Sequence, residues 1–177
     1  MDAPPAVEIT RPAPEDALPW AHAHVAIWRE AYADLLPAAL LEGLDAEGSV
    51  PARREIADRL DAEGPGPDLP DTVIARCADG TVAGMCTAGL RRDDLPTELE
   101  LHALNVAAPW RGTGLAERLV EAVLPPGPAS LWVLEGNDRA IAFYRRLGFE
   151  ETSRRKELVH RTVGDTGVWE IAMVRPV

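Results

Sequence analysis

Long apolar runs and cysteine are scarce in this chain of 177 residues, and each scarcity excludes a class of protein. No run approaches the roughly 20 apolar residues of a membrane-spanning helix. The first residues are acidic and contain proline, whereas a secretory signal is basic and then apolar. Cys77 and Cys86 are too few for a disulfide framework or a four-ligand zinc site. We therefore expect a cytoplasmic protein with no membrane partner and no metal.

The composition is that of a globular protein with an excess of acid. Hydrophobic residues make up 46% and charged residues 27% of the chain, and its length suits one domain, so residues 1–177 are expected to form a single domain. A net charge of -11 argues against a nucleic-acid partner, because phosphates repel such a chain. The first 100 residues carry 20 acidic and 8 basic groups, whereas the remainder carries 9 acidic and 10 basic groups. The positive groups are therefore concentrated in the second half.

Hydrophobic periodicity and turn residues predict the order of helices and strands. The step Asp79-Gly80 between two β-rich runs predicts an antiparallel hairpin. The first helix is expected to end near Pro37, and a second helix is expected to begin with Ser49 as its N-cap. Further strands are predicted near residues 7–10, 98–106, 130–134, 149–159 and 168–175, with helices after 115 and near 140–147. This order predicts a mixed α/β sheet.

The strand ending near Val106 leads through a glycine-containing turn directly into a helix that opens at Leu115. Glycine lets a backbone approach a ligand closely, and the first turn of a helix leaves its amides without intrahelical partners. Those amides and the positive end of the helix dipole favour phosphate oxygens, and Arg111 adds a positive charge. The pattern predicts a phosphate site, and an ordinary strand-to-helix turn is the alternative.

Two common nucleotide-binding motifs fit this turn less well. A P-loop requires Gly-Lys-Ser/Thr at the start of the helix, and here Gly114 is followed by Leu115 and Ala116, so a P-loop is excluded. A Rossmann fingerprint has three glycines directly after the first strand of the fold, whereas this turn lies in the middle of the chain and lacks the third glycine.

Two sequence blocks match one known family. Arg111, Gly114 and Ala116 fit the signature Gln/Arg-x-x-Gly-x-Gly/Ala at a helix start. The second block comprises Leu131-Trp132-Val133, Asn137, Ala140 and Phe143-Tyr144, followed by Leu147-Gly148-Phe149. On these motifs the chain resembles the GNAT superfamily of acetyl-coenzyme A-dependent N-acetyltransferases. The segment from Trp28 to Tyr32 resembles the opening of many bacterial members more weakly.

The resemblance implies a fold and an activity. The fold is α/β (α+β), a central, mixed and mostly antiparallel sheet of six to seven strands, flanked by about four helices and splayed at the cofactor strand. The activity is direct transfer of an acetyl group, in a ternary complex, from acetyl-CoA to a primary amine. The acceptor is a small cationic molecule such as a polyamine, an amino acid, an aminoglycoside or a peptide N-terminus. The acidic first half favours a cation, and a homodimer remains open because many relatives form one.

Two other functions remain as alternatives. A chain of this fold also fits a non-catalytic acyl-CoA-binding sensor or interaction domain. A plain nucleotide-binding protein would account for the glycine turn alone.

The resemblance also assigns the cofactor-binding residues. The pantetheine arm is expected to pair with the backbone of Leu104, Asn105 and Val106, and the Val106 N–H is expected to face the thioester oxygen. Asn137 contacts the same arm in this assignment, although it is equally explained as the N-cap of the next helix. The pyrophosphate is assigned to the turn and first helical residues, Arg111, Gly112, Thr113, Gly114, Leu115 and Ala116.

Tyr144 matches the family tyrosine that donates a proton or a hydrogen bond to the leaving thiolate; a core aromatic is the alternative. The acceptor amine is protonated near neutral pH, so a base is needed. Strand alternation places Glu98, Glu100, His102 and Leu104 on one face, and we rank Glu100 above His102 as the base, with Glu135 below both. Glu100 is as readily an ion-pair partner in the sheet. Trp20, Trp28 and Tyr32 are expected mainly in the core, with one aromatic lining the acceptor site.

Overall fold

The computed structural model describes residues 6–160 and 164–176, in which one sheet of seven strands is covered by five helices. The strand order is β1-β2-β3-β4-β5-β7-β6, and only β4 and β5 are parallel neighbours. The strands are β1 (Val7–Thr10), β2 (Asp71–Cys77), β3 (Val82–Leu90), β4 (Leu99–Val106), β5 (Ala129–Leu134), β6 (Glu150–His160) and β7 (Gly164–Arg175). The helices are α1 (Ala17–Ala31), α2 (Ala38–Glu42), α3 (Ala46–Glu63), α4 (Leu115–Val123) and α5 (Asp138–Arg146). The predicted fold class is confirmed.

Local signals explain most of these boundaries, with one correction. The hairpin predicted at Asp79-Gly80 joins β2 to β3, and Gly80 has a left-handed φ of 83°. The prediction of Ser49 as the N-cap of α3 is wrong. The Asp45 carboxylate accepts the Gly48 N–H at 2.9 Å, so the helix begins at Ala46. Asp accepts amide hydrogen bonds as readily as Ser, and the earlier of the two residues caps the helix.

The core lies on both faces of the sheet. Consecutive residues of β2, Val73 and Ile74, belong to different buried clusters, because side chains alternate between the faces of a strand. On one face the sheet packs against α4 and α5, with Leu119 of α4 fully buried. On the other face it packs against α1, where Trp20 and Ile27 are buried. The two helical layers therefore fix both sides of the central strands.

The parallel strands β4 and β5 pair at only two positions, Glu100 with Ser130 and Leu101 with Leu131. Both strands continue for several residues beyond these pairs. The sheet is therefore splayed at β4, as the fold prediction stated, and a gap opens in the middle of the molecule.

A bulge in β4 changes which side chains share a face. Thr87 of β3 pairs with Ala103 and Ala88 pairs with Leu101, so His102 is an extra residue of β4. Leu101 and Leu104 consequently pack into the same core cluster, although they are three residues apart. The prediction that Leu104 shares a face with Glu98, Glu100 and His102 is wrong, because strict alternation assumes an unbroken ladder.

Close contact between β3 and α4 requires a glycine, and we predict that Gly84→Ala destabilises the protein. The added methyl carbon would lie 2.9 Å from Asn105 O and 3.0 Å from Leu119 Cδ1, so we expect a loss of about 1–3 kcal/mol in the free energy of unfolding. The measurement is urea denaturation. Gly66→Ala is the control, since no atom lies within 4 Å of its added methyl carbon and its expected effect is within about 1 kcal/mol. Equal losses in both variants would contradict the packing described.

Candidate active site

A cavity of about 280 Å³ opens where β4 and β5 separate, and we call it the cleft. Its walls come from α1, β4, the turn before α4, β5 and α5. Glu100 is not part of the lining, and Thr113, Gly114 and Leu115 lie in the chain between the lining residues Gly112 and Ala116. The predicted residues that line the cleft are His102, Leu104, Asn105, Val106, Arg111, Gly112, Ala116, Asn137 and Tyr144.

The turn before α4 has the geometry of an anion site. Gly112 and Gly114 have left-handed φ angles of 74° and 84°, and a methyl carbon on either would meet no atom within 4 Å. Glycine is therefore required by the backbone, and the space beside it is open. The first helical hydrogen bond joins Arg118 N–H to Gly114 O at 3.2 Å. The Thr113 N–H donates to Trp110 O at 3.4 Å, whereas the amides of the first turn of α4 have no intrahelical partners, so they can bind an anion.

Arg111 holds the turn in place more than it supplies charge. Its guanidinium donates to both carboxylate oxygens of Glu30 in α1, at 2.6 and 2.9 Å, and its Nε donates to Val106 O at 3.1 Å. The bidentate pair compensates the positive charge that the sequence analysis assigned to the phosphate site. Arg111 thus joins α1, the end of β4 and the turn at one corner of the cleft.

An amide of β4 faces the gap between the strands. Ala107 N–H donates to Ala83 O at 2.9 Å, and Gly84 pairs with Val106. Hydrogen-bonded and non-hydrogen-bonded pairs alternate along antiparallel strands, so the Val106 N–H points away from β3. Because β5 has separated from β4 at this level, that amide is directed to the cleft. A ligand with an extended chain can pair with this edge as an added strand.

Tyr144 of α5 and Asn137, the N-cap of that helix, line the cleft. The Asn137 Oδ1 accepts the Ala140 N–H at 3.2 Å, so the capping role is confirmed, and its side-chain NH₂ is left for other partners. Tyr144 is 8% exposed and packs edge to face against Phe143 and Phe149, with ring centroids 5.4 and 6.0 Å apart. Burial raises the pKa of the Tyr144 phenol. The phenol therefore remains a hydrogen-bond donor at neutral pH.

The highest-ranked base candidate, Glu100, is placed as an ion-pair partner. Its side chain is fully buried and accepts the Arg92 backbone N–H at 2.7 Å and the Arg92 Nε–H at 3.0 Å. Glu135, the third candidate, forms an ion pair with Arg155. Both carboxylates are therefore held by arginines, and Glu100 is not among the residues that line the cleft.

His102 lies in the cleft lining with one ring nitrogen free to accept a proton. Its Nε2 is 2.9 Å from Leu90 O, and a carbonyl oxygen only accepts, so Nε2 carries the hydrogen in the neutral ring and Nδ1 carries the lone pair. Burial, followed by the charge of Arg92, lowers the pKa of His102, while the Leu90 hydrogen bond and Glu100 oppose that shift. The ring is therefore neutral at pH 7.

The aromatic wall of the cleft was only partly foreseen. Trp28 of α1 and Tyr32, which caps its C-terminus, line it, as expected for one of the first-helix aromatics, whereas Trp20 is buried in the core. Trp132 and Arg139 also line it, and no role was predicted for them from the sequence. Trp132 follows the buried Leu131 in β5, so alternation of side chains along that strand could have indicated that Trp132 lies on the opposite face from Leu131.

Metal-binding and membrane features are not found in the part of the chain that the structure describes. Among residues 6–160 and 164–176, no three His, Cys, Asp or Glu side chains come together as a metal site. None of the described helices combines the length and apolar character needed to cross a bilayer. Cys77 and Cys86 are buried, and burial raises the pKa of the Cys86 thiol, which disfavours its reactive thiolate.

Comparison with known sequences identifies relatives of this chain. Residues 26–149 match the family model described as the Acetyltransferase (GNAT) family. N-alpha-acetyltransferase RimI of Mycobacterium tuberculosis (strain ATCC 25618 / H37Rv) is 31% identical over 80 residues, which are 44% of this chain and 51% of that protein. The match thus spans about half the length of this curated relative.

Solved structures share the same fold at low sequence identity. PaiA N-acetyltransferase from Thermoplasma acidophilum, solved in complex with coenzyme A, is 17% identical with a TM-score of 0.69, over 97% of this chain and 99% of that chain. Ribosomal-protein-alanine N-acetyltransferase from Brucella melitensis is 21% identical with a TM-score of 0.63, over 96% and 99% of the two chains. Because the family model covers more than half of the sequence, the chain belongs to the GNAT family of acetyltransferases.

Proposed function

We propose that this protein transfers an acetyl group from acetyl-CoA directly to a primary amine, with both substrates bound at once. Family membership makes acetyl-CoA the acyl donor. The single observation that carries the proposal is that one cavity connects the open glycine turn at α4 with the free edge of β4, Tyr144 and His102. That cavity brings together a site for phosphate, an edge for an extended arm, a donor and a base.

In the proposed complex, the pyrophosphate of the coenzyme binds the amides between Gly112 and Ala116. The open space beside both glycines and the helix dipole support this assignment. The pantetheine arm then runs along Leu104 and Val106, where the separation of β4 from β5 leaves an unpaired edge. Asn137 contributes its side-chain NH₂ to the same arm.

The chemistry proposed at the thioester is an addition followed by an elimination. The amine nitrogen forms a bond to the acetyl carbon, and the carbonyl electrons move to oxygen, where the Val106 N–H stabilises the oxyanion. The carbon–sulfur bond then breaks and its electrons leave with sulfur. Coenzyme thiol has a pKa of roughly 8.5, below that of the buried phenol, so Tyr144 donates a hydrogen bond to the thiolate and keeps its proton.

The proposed base is the Nδ1 of His102. An alkylammonium has a pKa of roughly 10, so the small neutral fraction of the amine, formed by loss of a proton to solvent, is the species that attacks. His102 then takes a second proton from the nitrogen as the nitrogen–carbon bond forms, because that nitrogen becomes acidic. Three observations support this role: His102 lines the cleft, its Nδ1 has no hydrogen-bond partner in the described part of the chain, and its ring is neutral at pH 7. Glu100, in contrast, does not line the cleft, and its carboxylate is held by Arg92.

We predict that Gly114→Asp weakens acetyl-CoA binding while Gly114→Asn has a smaller effect. Asp and Asn have the same shape and both tolerate a left-handed backbone, so the difference between them isolates the repulsion of carboxylate by phosphate. The dissociation constant of Gly114→Asp is expected to be about tenfold higher than that of Gly114→Asn. Thermal shift with acetyl-CoA measures it, with ATP and NAD as ligands that should not stabilise the protein. Equal affinities of the two variants for acetyl-CoA would show that its phosphates bind elsewhere.

We predict that His102→Gln reduces kcat by on the order of 100-fold and removes the acid limb of the pH profile. Because the pKa of His102 is lowered below 6.5, wild-type activity should rise with pH through a value under 6.5 and then follow the amine. Glu100→Gln is the matched comparison. It should lower the free energy of unfolding, because it breaks the ion pair between the buried Glu100 and Arg92. Its loss of kcat at pH 8 should be smaller than that of His102→Gln. A larger kcat loss in Glu100→Gln than in His102→Gln would reverse the assignment.

We predict that Tyr144→Phe slows thiol release by about 10- to 100-fold without abolishing it, because the variant loses one hydrogen bond to a leaving group that is already stable. Release of coenzyme thiol with a panel of amines is the assay, and it also separates the enzyme from the non-catalytic sensor. If acetyl-CoA stabilises the protein and no amine in a broad panel releases thiol, the sensor becomes the better description.

A further inference from the structure

The lining of the cleft contains arginine and no carboxylate. It includes Arg111, Arg139 and Arg146, but no Asp or Glu among the described residues. Arg111 is paired with Glu30, and Arg146 lies 3.8 Å from Glu117. This charge pattern bears on the acceptor of the proposed acetyl transfer, on which the inference below rests.

Several carboxylates around the cleft are paired with basic side chains. Glu30 pairs with Arg111, Glu100 with Arg92, and Asp93 with Lys156. Lys156 also lies 3.9 Å from Glu170 of β7. A cationic acceptor would compete with these basic side chains for their carboxylates.

Aromatic rings line part of the cleft that the coenzyme assignment leaves free. Trp28 of α1 and Tyr32, the C-cap of that helix, have centroids 5.1 Å apart and an edge-to-face angle of 72°. The His24 ring lies outside the lining, 5.1 Å from Trp28, and burial lowers its pKa to about 4, so it is uncharged. Trp28 and Tyr32 present an aromatic wall from the α1 side.

Trp132 of β5 provides a second aromatic surface. The Lys156 ammonium lies 4.3 Å from the centroid of the Trp132 ring, so this ring already makes a cation–π contact. A second ammonium group from a substrate would have to compete with Lys156 there. An uncharged body can instead pack against the accessible part of the indole.

From this arrangement, we propose that the acceptor is a monoamine whose amino group is attached to an apolar, aromatic body, and that Trp28 and Trp132 hold that body. Burial of an aromatic body between two indoles removes apolar surface from water and adds ring-to-ring contact. A polyamine or an aminoglycoside brings several positive charges into a cleft whose described lining offers them no carboxylate partner and contains Arg139. The lining therefore disfavours these acceptors.

The test is thiol release by the wild-type protein with saturating acetyl-CoA at pH 8. Tryptamine and 2-phenylethylamine are compared with spermidine, kanamycin and a hexapeptide that begins with alanine. We expect kcat/KM for the two aromatic monoamines to exceed that for the other three acceptors by about tenfold or more. An equal or higher kcat/KM for spermidine, kanamycin or the peptide overturns the acceptor class and leaves acetyl transfer intact.

Variants of the two indoles test the walls directly. Trp28→Leu and Trp132→Leu should each raise KM for tryptamine by about tenfold, with the thermal shift by acetyl-CoA preserved as evidence that the coenzyme site is folded. Trp169→Leu is the matched control, because Trp169 is 44% exposed and is not part of the lining, and its KM should be unchanged. An unchanged KM in both wall variants overturns the assignment of the walls. Absence of both thermal shift and thiol release in the wild-type protein overturns the proposed function itself, and the acceptor inference with it.

Discussion

The early separation of β4 from β5 is the constraint on which the rest of the site depends. Two paired positions hold the strands together, and beyond them neither strand has the other as a hydrogen-bonding neighbour. Buried amides without partners are costly in a core, so a gap of this kind is stable when solvent or a ligand supplies the partners. The cleft, the exposed edge at Val106 and the position of α5 all follow from that one interruption of the sheet.

Two local features position side chains around the gap between β4 and β5. The bulge at His102 inserts an extra residue into β4, and its ring contributes to the lining while its Nε2 stays bonded to Leu90 O. At the opposite end, Arg111 links α1 to the glycine turn through Glu30. A bulge changes the face to which a side chain points, and a bidentate pair fixes the approach of two elements. Together they set the distance between the proposed phosphate site and the proposed base.

Compensation of charge shapes the part of the cleft that is proposed to hold the acceptor. The protein is acidic as a whole, yet the carboxylates near the cleft form ion pairs with Arg92, Arg111 and Lys156. What remains along the wall is aromatic surface from Trp28, Tyr32 and Trp132. Net charge describes the field far from a protein, whereas the pairing of individual groups decides what a buried cleft attracts.

The sequence by itself determined the fold class, the Asp79-Gly80 hairpin, the glycine turn before α4 and the cap at Asn137. These features depend on residues within a few positions of one another, where backbone preference and periodicity act. The partner of Glu100, the bulge at His102 and the pairing of Arg111 with Glu30 were decided only by the tertiary structure. Each joins residues from separate segments, up to 81 positions apart. A one-residue slip between β3 and β4 leaves no mark in the local pattern, so alternation alone misassigned the face of Leu104.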